Sequence, residues 1–338
     1  MTGIKKIVTG VMLFFSISPF CLAQLRWVNV DSLYAPLPSS IHVYKTTDSV
    51  DGKPNIAFYV IADLNDKRLD FTVDTTRNRR ITPSAFYERN QQPLLVVNCT
   101  FFSFETNNSI NVVVKDGKMV NYNIHTIPLR GKDTFMYAHP FRSAIGINKK
   151  RAADIGWVYA DTSKRIPFIS QSSRNYYKDS FHVFKYVIQS IRCSNALHQN
   201  PLKKKSYERV FKKWKVETAV GGGPVLLQNG QIQITNNEEM MFAGKAKENL
   251  EPRTAMGYTA DGKLIILMVQ GRYPGVAEGM SLPQMAKLFQ DLGCVEALNL
   301  DGGGSSCMLV NGKETITPSS KGEQRPVPAV FIIQQKKK

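Results

Sequence analysis

The chain has 338 residues, of which 43% are hydrophobic and 21% are charged, and these proportions exclude a disordered, collagen-like or coiled-coil protein. Lysine and arginine number 44 against 27 aspartate and glutamate residues, so the formal net charge is +17. This charge is compatible with an anionic partner. The basic residues are scattered without a recognition motif, which argues against a nucleic-acid binder.

The first 23 residues have the layout of a secretory signal peptide. Lys5 and Lys6 precede the apolar run 7–15, and the segment closes at Ala23, which is the order of charged end, hydrophobic centre and cleavage site. The run is too short to span a bilayer. We therefore expect cleavage after Ala23, export to the periplasm or the extracellular space, and a mature chain without a membrane span.

Short apolar stretches recur along the rest of the chain. The clearest predicted strands, in chain order, are 57–61, 94–97, 111–114 and 264–269. Asp-Gly and Asn-Gly pairs, which tolerate positive φ, predict turns at 51–52, 116–117, 229–230, 261–262 and 311–312. The pattern indicates a chain that is rich in strands.

Two helices are predicted. The stronger one begins after Ser281, a good N-cap residue, has Pro283 in its first turn and stops at Gly293, while the weaker one covers about 83–90. The predicted fold class is therefore α+β: one mixed, strand-rich domain with few helices and with its active-site loops at strand ends.

The chain is predicted to divide into three parts. After the signal peptide, residues 24–80 form a β-rich N-terminal portion, and residues 81–338 form the main portion with a polar, basic insert at about 161–215. Such basic runs are usually solvated faces. A short echo links 142–146 with 253–257, and either chance or an internal duplication accounts for it.

The sharpest candidate site lies where the predicted strand 295–301 ends in three glycines. Because side chains alternate along a strand, Asn299 and Asp301 share one face. The glycines that follow let the backbone approach a ligand and expose N–H groups, with Ser305 as a further donor. The alternative is a tight bend in which Asp301 bonds its own turn. Three glycines beside paired polar residues favour a binding or catalytic site.

Three further features could belong to this site. A second glycine run at 221–223 enters the strand 225–227, either as an irregular loop or as a ligand-facing one. Arg253 and Arg272 stand at strand ends, where they suit phosphate or carboxylate or form surface salt bridges. Asn98 ends a strand and either lines a sugar pocket or caps the strand. Neither glycine run matches a nucleotide-binding fingerprint, so we predict no nucleotide cofactor.

Together these motifs resemble the phosphodiester glycosidase family. The resemblance covers roughly 83–333 and rests on motifs that stand in the family's order, at 221–224, 253–257, 271–272 and 299–306. It implies a mixed α+β catalytic domain of a hydrolase in carbohydrate metabolism, which removes a sugar from a sugar-1-phosphodiester. Asn98 matches the first residue of the family's Asn-Gly-Gly-Phe-Phe motif, although this chain has Cys99 and Thr100 in place of the glycines.

The chemistry that the resemblance implies assigns roles to several residues. Asp301 is predicted to face the anomeric carbon as nucleophile or as base for water, and Asn299 to orient sugar hydroxyls. Glu217, with Glu278 as another candidate, would supply the second carboxylate that ordinary glycosidases use. The departing phosphate requires anion stabilisation. The predicted residues for substrate and phosphate are Asn98, Gly222, Gly223, Arg253, Arg272, Gly302, Gly303, Gly304 and Ser305.

Other interpretations remain open from the sequence. The chain could be a non-catalytic exported binder of anionic glycans, or a serine hydrolase that acts through Ser305 although it lacks the GxSxG elbow. No metal or other cofactor is predicted, because no cluster has convincing ligand spacing, and a divalent cation at Asp301 has no further support. The mature chain has four cysteines, which form one bridge or remain buried thiols, and are Cys99, Cys193, Cys294 and Cys307.

Overall fold

The protein is described here by a computed structural model, which covers residues 25–173, 175, 177–178 and 211–336. The predicted signal peptide, Cys193 and most of the predicted insert lie outside the described residues. Cys99, Cys294 and Cys307 are buried free thiols. No helix in the described part has the length and hydropathy needed to cross a membrane.

The described strands form four sheets with antiparallel ladders. The eight-stranded sheet has the order Val28–Asn29, Ile41–Thr46, Ala57–Asp63, Lys263–Val269, Arg253–Thr259, Cys294–Asn299, Val225–Gln228 and Gln231–Ile232. The seven-stranded sheet has the order Lys212–Lys213, Ile166–Ser170, Ala153–Asp161, Arg142–Ile147, Thr218–Gly221, Val113–Lys115 and Lys118–Asn121. The five-stranded sheet has the order Lys313–Glu314, Met308–Val310, Leu95–Asn98, Ala329–Gln335 and Leu69–Thr75. The smallest sheet consists of Tyr177–Lys178, Tyr137–His139 and Ile127–Pro128.

The described part has two α-helices, Pro83–Arg89 and Leu282–Asp291, together with short 3-10 turns at Asp31–Tyr34, Gly131–Asp133, Ala246–Glu248 and Gly303–Ser305. Ser281 caps the longer helix in a capping box with Gln284, and Gly293 follows it with a φ of +75°. This is the start and stop that the sequence predicts. The strand-rich fold with few helices is confirmed.

One core is shared by the three large sheets. Val60, Trp157 and Val97, one from each of these sheets, belong to the same cluster of buried side chains. The helix Leu282–Asp291 covers the opposite face of the eight-stranded sheet, and Phe86 of the shorter helix covers that of the five-stranded sheet. Burial on both faces explains why the strands are continuous apolar runs.

Strands from both ends of the chain are interleaved in these sheets. Ala57–Asp63 pairs with Lys263–Val269, and Leu69–Thr75 pairs with Ala329–Gln335. The predicted N-terminal portion 24–80 therefore contributes strands to the sheets that the rest of the chain completes. The division of the chain at residue 80 stays a prediction.

The two segments of the sequence echo occupy equivalent places in different sheets. Arg142–Ile147 and Arg253–Thr259 both begin at a buried arginine, and each pairs on one side with the next strand of the seven- or eight-stranded sheet. On the other side they pair with Thr218–Gly221 and with Cys294–Asn299. Both of these strands lead into one of the two glycine runs, so a repeated strand arrangement places each run at a strand end.

Candidate active site

A cavity of about 240 Å³ lies beyond the end of the strand Cys294–Asn299. This strand ends two residues earlier than the sequence predicts, and Leu300 then packs in the core while Asp301 lines the cavity. Six lining residues were predicted from the sequence, namely Arg253, Arg272, Asp301, Gly302, Gly303 and Gly304. Six were not predicted, namely Phe101, Phe242, Ala246, Asn249, Glu251 and Arg325.

Asp301 is partly buried, and its carboxyl group lines this cavity. Its Oδ2 atom is enclosed and has no hydrogen-bond partner. Burial raises the pKa of Asp301 to about 7, although interactions with the Ser305 hydroxyl, the Arg325 charge and the Gly302 N–H lower it. A carboxyl group with a pKa near neutrality and an unpartnered oxygen is suited to nucleophilic or base chemistry.

The backbone of Asp301 is fixed by two buried partners. Its N–H donates to the carbonyl of Cys99 at 2.9 Å, and the Asn98 side-chain amide donates to the Asp301 carbonyl at 2.6 Å. The Asn98 Oδ1 atom accepts hydrogen bonds from the Thr254 hydroxyl and the Cys307 N–H. This network joins the ends of three strands and sets the position of the carboxylate.

The three glycines after Asp301 are required by close neighbours. A Cβ atom on Gly302 would lie 2.7 Å from the Pro252 carbonyl oxygen, and one on Gly303, whose φ is +59°, would lie 3.1 Å from the Arg272 guanidinium. A Cβ atom on Gly304 would overlap the Arg325 guanidinium. The absence of side chains therefore allows two arginines to approach the turn.

The amide groups of this turn are less available than the sequence suggests. The Gly302 N–H interacts with the Asp301 side chain, and the Gly303 N–H donates to the Pro252 carbonyl at 2.7 Å. Of the three glycines, Gly303 therefore uses its N–H group within the protein. The guanidinium groups that the glycines admit are the donors that the turn brings to the cavity.

Arg272 and Arg325 differ in their partners. The Arg272 Nε atom donates to Glu251 at 2.7 Å, in an ion pair that is partly exposed. Arg325 lies 5.8 Å from the Phe104 ring centroid, and the described residues include no hydrogen-bond or ion-pair partner for it. Glu251 lines the same cavity as Asp301, so the cavity holds two carboxylates.

Arg253 is more buried than these two arginines. Its Nε and Nη2 atoms donate to the carbonyls of Met280 and Asn249, each at 2.9 Å, and its guanidinium lies 5.5 Å from the Phe242 centroid. Burial lowers the pKa of Arg253 to about 10, so the group stays protonated at neutral pH. Most of its donor capacity is used within the protein.

Aromatic side chains form one wall of the cavity. Phe101 and Phe242 meet edge to face with ring centroids 6.2 Å apart. Aromatic faces of this kind pack against the C–H groups of sugar rings as they do against other apolar surfaces. The wall therefore offers a place for a sugar ring beside the carboxylates.

Four predicted residues are buried next to the cavity without lining it. Asn98 and Asn299 are fully buried, and the Asn299 amide donates to the Gly223 carbonyl at 2.8 Å. The Gly223 N–H donates back to the Asn299 carbonyl at 2.8 Å. A Cβ atom on Gly222 would overlap this carbonyl. The two glycine runs are thus adjacent. The framework that supports the cavity consists of four predicted residues that do not line it, namely Asn98, Asn299, Gly222 and Gly223.

Two other predicted residues have different surroundings. Ser305 is buried and its hydroxyl interacts with the Asp301 carboxyl group, so its placement serves that carboxylate. Glu217 does not line the cavity; it lies against Gly117 and pairs with Lys149 at 3.7 Å. Glu278 also lies outside the cavity lining and pairs with Lys53.

The residues that the sequence analysis missed have weak sequence signals. Glu251 lies two residues before Arg253 in the sequence, and this proximity could have suggested that Glu251 belongs to the site. Arg325 stands in a loop between two strands and shares no motif with Asp301. Only the fold shows that both reach the same cavity.

The described residues show no group of three or more His, Cys, Asp and Glu side chains that could hold a metal ion. Among the described residues, Asp301 and Glu251 are the carboxylates that line the cavity, and Glu251 forms an ion pair with Arg272. No histidine is among the described residues that line the cavity.

Comparison with known proteins supports the family. Residues 179–334 match the sequence model of the phosphodiester glycosidase family. The mouse enzyme N-acetylglucosamine-1-phosphodiester alpha-N-acetylglucosaminidase is 31% identical over 103 residues, which are 28% of this chain and 19% of the mouse protein.

Two further relatives show how far the likeness extends. The SPbeta prophage-derived uncharacterized protein YomE of Bacillus subtilis (strain 168) is 43% identical over 82 residues, which are 24% of this chain and 12% of that protein. The catalytic domain of zebrafish N-acetylglucosamine-1-phosphodiester alpha-N-acetylglucosaminidase, auto-inhibited by its pro-peptide, has a TM-score of 0.56 at 19% identity, over 93% of this chain and 89% of that domain. The matched segments cover less than a fifth of the curated relatives, and the structural likeness establishes the fold. The match to the phosphodiester glycosidase family supports the assignment of this chain to the hydrolases, as a broad enzyme class.

Proposed function

We propose that the protein is an exported glycosidase that hydrolyses the bond between a sugar anomeric carbon and the phosphate of a sugar-1-phosphodiester. The observation that carries the proposal is the placement of Asp301 in one cavity with Arg272 and Arg325, at a turn whose glycines admit both guanidinium groups. The matching family and its named mouse relative support the reaction class. The signal-like residues 1–23 support export.

The reaction separates positive from negative charge, and the cavity has a group of opposite charge for each. As the bond from the anomeric carbon to the phosphate oxygen breaks, positive charge develops on the sugar ring and the phosphate monoester leaves with the electron pair. The ionised Asp301 side chain either attacks the anomeric carbon, forming a glycosyl ester that water then hydrolyses to free sugar and the carboxylate, or removes a proton from the water that attacks this carbon. Arg272 and Arg325 stabilise the negative charge on the departing phosphate.

The two ends of the substrate have separate places in this arrangement. The sugar ring packs on Phe101 and Phe242, and the phosphate lies toward the glycine turn. Glu251 is the second carboxylate of the cavity. Its ion pair with Arg272 places it beside an arginine that binds the phosphate. A phosphate monoester leaves readily, so the mechanism needs little general-acid assistance.

The test is the release of free sugar from a UDP-sugar by the purified protein. We expect hydrolysis by the wild-type protein and a loss of about 10³-fold or more in Asp301→Asn, with an unchanged circular dichroism spectrum. The matched control is Glu217→Gln, which removes an acid outside the cavity and should leave turnover unchanged.

The result also separates the enzyme from its alternative. Equal turnover by Asp301→Asn would remove this residue from the mechanism. Binding of the UDP-sugar without any release would instead favour the non-catalytic binder of anionic glycans, which could use the same arginines.

A further inference from the structure

A second and larger cleft, of about 1060 Å³, lies apart from the lining of the catalytic cavity. Four chain segments form it: the loop after the strand Leu69–Thr75, the loop 103–110, the hairpin strand Lys118–Asn121, and the turn 162–165. Its basic residues are Arg77, Lys118, Lys164 and Arg165. We call this surface the basic cleft.

The charge of the basic cleft is uncompensated within its walls. No aspartate or glutamate is among its lining residues, and its four basic side chains are exposed. None of the four forms a salt bridge within the described part of the chain. Two acids flank the cleft: Glu217 lies against the lining residue Gly117 and pairs with Lys149, and Asp161 accepts a hydrogen bond from the Lys164 N–H. Converging like charges without partners attract a multivalent anion.

The other lining residues are suited to sugar hydroxyl groups. Serine, threonine and asparagine side chains supply both donors and acceptors, and Tyr122, which is 53% exposed, supplies an aromatic face. Several of these hydroxyl groups already donate to backbone carbonyls of the protein, as those of Thr76 and Ser109 do. A phosphate chain, however, would leave the exposed Tyr122 ring unused. The composition of the cleft therefore favours a glycan over a simple phosphate chain.

The walls of the basic cleft are fixed by hydrogen bonds between segments. Asn78 and Asn108 bond reciprocally, with the Asn78 N–H and the Asn108 side-chain amide each donating at 2.8 Å. The Asn121 amide donates to the carbonyls of Ser109 and Asn111 at 2.9 and 2.6 Å. These bonds hold three of the four segments together before any ligand arrives, which lowers the entropic cost of binding.

One loop joins the basic cleft to the catalytic cavity. Phe101 lines the cavity, whereas Ser103, two residues later, lines the cleft. The next residue, Phe104, is 65% exposed, and the guanidinium groups of Arg80 and Arg325 lie 5.0 and 5.8 Å from its ring centroid. Positive charge therefore extends from the cleft to the phosphate side of the cavity.

We propose that the basic cleft binds an anionic glycan chain whose terminal sugar phosphate occupies the catalytic cavity. This inference rests on the proposed function, since it names the group beyond the phosphate. It makes the natural substrate a polymer or oligomer of negatively charged sugars.

The test measures binding with the Asp301→Asn protein, so that hydrolysis does not intervene. The probes are phosphorylated dextran, uncharged dextran of the same length and inorganic polyphosphate. Binding of each probe is measured by calorimetry at low and at high salt. The cleft variant replaces four basic residues by glutamine, at Arg77, Lys118, Lys164 and Arg165. The matched control loses the same charge from exposed lysines outside the cleft, at Lys67, Lys132, Lys150 and Lys215.

We expect the cleft variant to bind phosphorylated dextran about tenfold more weakly than its parent at low salt, with a smaller difference at high salt. The control variant should lose about twofold or less. Equal losses in the two variants would overturn the proposal, because they would show attraction by net charge alone. Polyphosphate bound as tightly as phosphorylated dextran would overturn the assignment to a glycan.

The binding result and the hydrolysis result are independent. A protein that releases no sugar from any UDP-sugar but shows the cleft-specific loss would refute the proposed function and retain the glycan site. Hydrolysis of a UDP-sugar without a cleft-specific loss of binding would support the proposed function and refute the glycan site. Unchanged thermal unfolding of both variants guards against misfolding.

Discussion

The guanidinium of Arg325 occupies the space that a side chain on Gly304 would need. The same turn brings Gly303 to within contact of Arg272, so each arginine lies against a residue that has no side chain. The glycine run is thus a packing requirement for positive charge beside Asp301. This explains why an acidic residue and three glycines occur together at the end of a buried strand.

Gly304→Ala should lower activity by displacing Arg325 from the turn. We expect a loss of about 10–100-fold in kcat/KM, because one donor to the departing phosphate is moved. The measurement is steady-state hydrolysis of a UDP-sugar. In an Arg325→Ala background the same substitution should cost much less, since nothing remains to be displaced. Additive losses in the double variant would show that Gly304 acts without Arg325.

The pH dependence of kcat/KM should report Asp301. Because burial raises the pKa of this group to about 7, and because the ionised form is the proposed nucleophile or base, kcat/KM should fall as the pH drops below about 7. Arg325→Gln removes a positive charge that lowers this pKa, so the midpoint should move upward. A profile that instead falls above pH 7 would assign the active form to the protonated acid.

Asp301→Asn should stabilise the protein at alkaline pH. The pKa of Asp301 is about 7 in the folded protein against an ordinary value of 3.8 in the unfolded chain, so the wild-type protein loses stability as the pH rises between these values and stays at the lower level above them. The asparagine variant lacks this titration. Its melting temperature should therefore exceed that of the wild type by more at pH 8 than at pH 5. An equal difference at both pH values would contradict the raised pKa.

Asn98→Ala should destabilise the fold without identifying Asn98 as a substrate ligand. The substitution leaves the Thr254 hydroxyl, the Cys307 N–H and the Asp301 carbonyl without their common partner. Since these groups are buried, we expect a loss of about 2–3 kcal/mol in the free energy of unfolding, measured by urea denaturation. Asn65→Ala, at an exposed site with a 3.4 Å hydrogen bond, is the control and should cost less.

Activity adds a second measurement on Asn98. Under conditions where the variant is folded, the loss should appear in kcat more than in KM, because the position of Asp301 changes while the lining of the cavity does not. A large rise in KM with unchanged kcat would restore the prediction that Asn98 contacts the substrate.

Some of the site could be predicted because its signals are local. The capping residue Ser281, the strand before Asp301 and the glycines that follow it are recognisable from neighbouring residues alone. Alternation along a strand is equally local, and it separates Leu300 in the core from Asp301 in the cavity.

Local reasoning does not give the contacts of the framework residues. Asn299 is a polar residue at a strand end, which the sequence cannot distinguish from a ligand-binding amide. Its partner proves to be the Gly223 carbonyl, 76 residues away in the chain. Ser305, by contrast, interacts with Asp301, as in the alternative in which Asp301 bonds its own turn.

The sequence by itself determined a strand-rich chain, the two helices, the turn after Asp301 and the resemblance to a glycosidase family, since each depends on short-range pattern. Only the tertiary structure decided which charged groups share a cavity. Glu251, Arg325 and Asp301 come from separate segments that meet through antiparallel pairing and a common core, and such long-range contacts leave no periodic trace in the residues that make them.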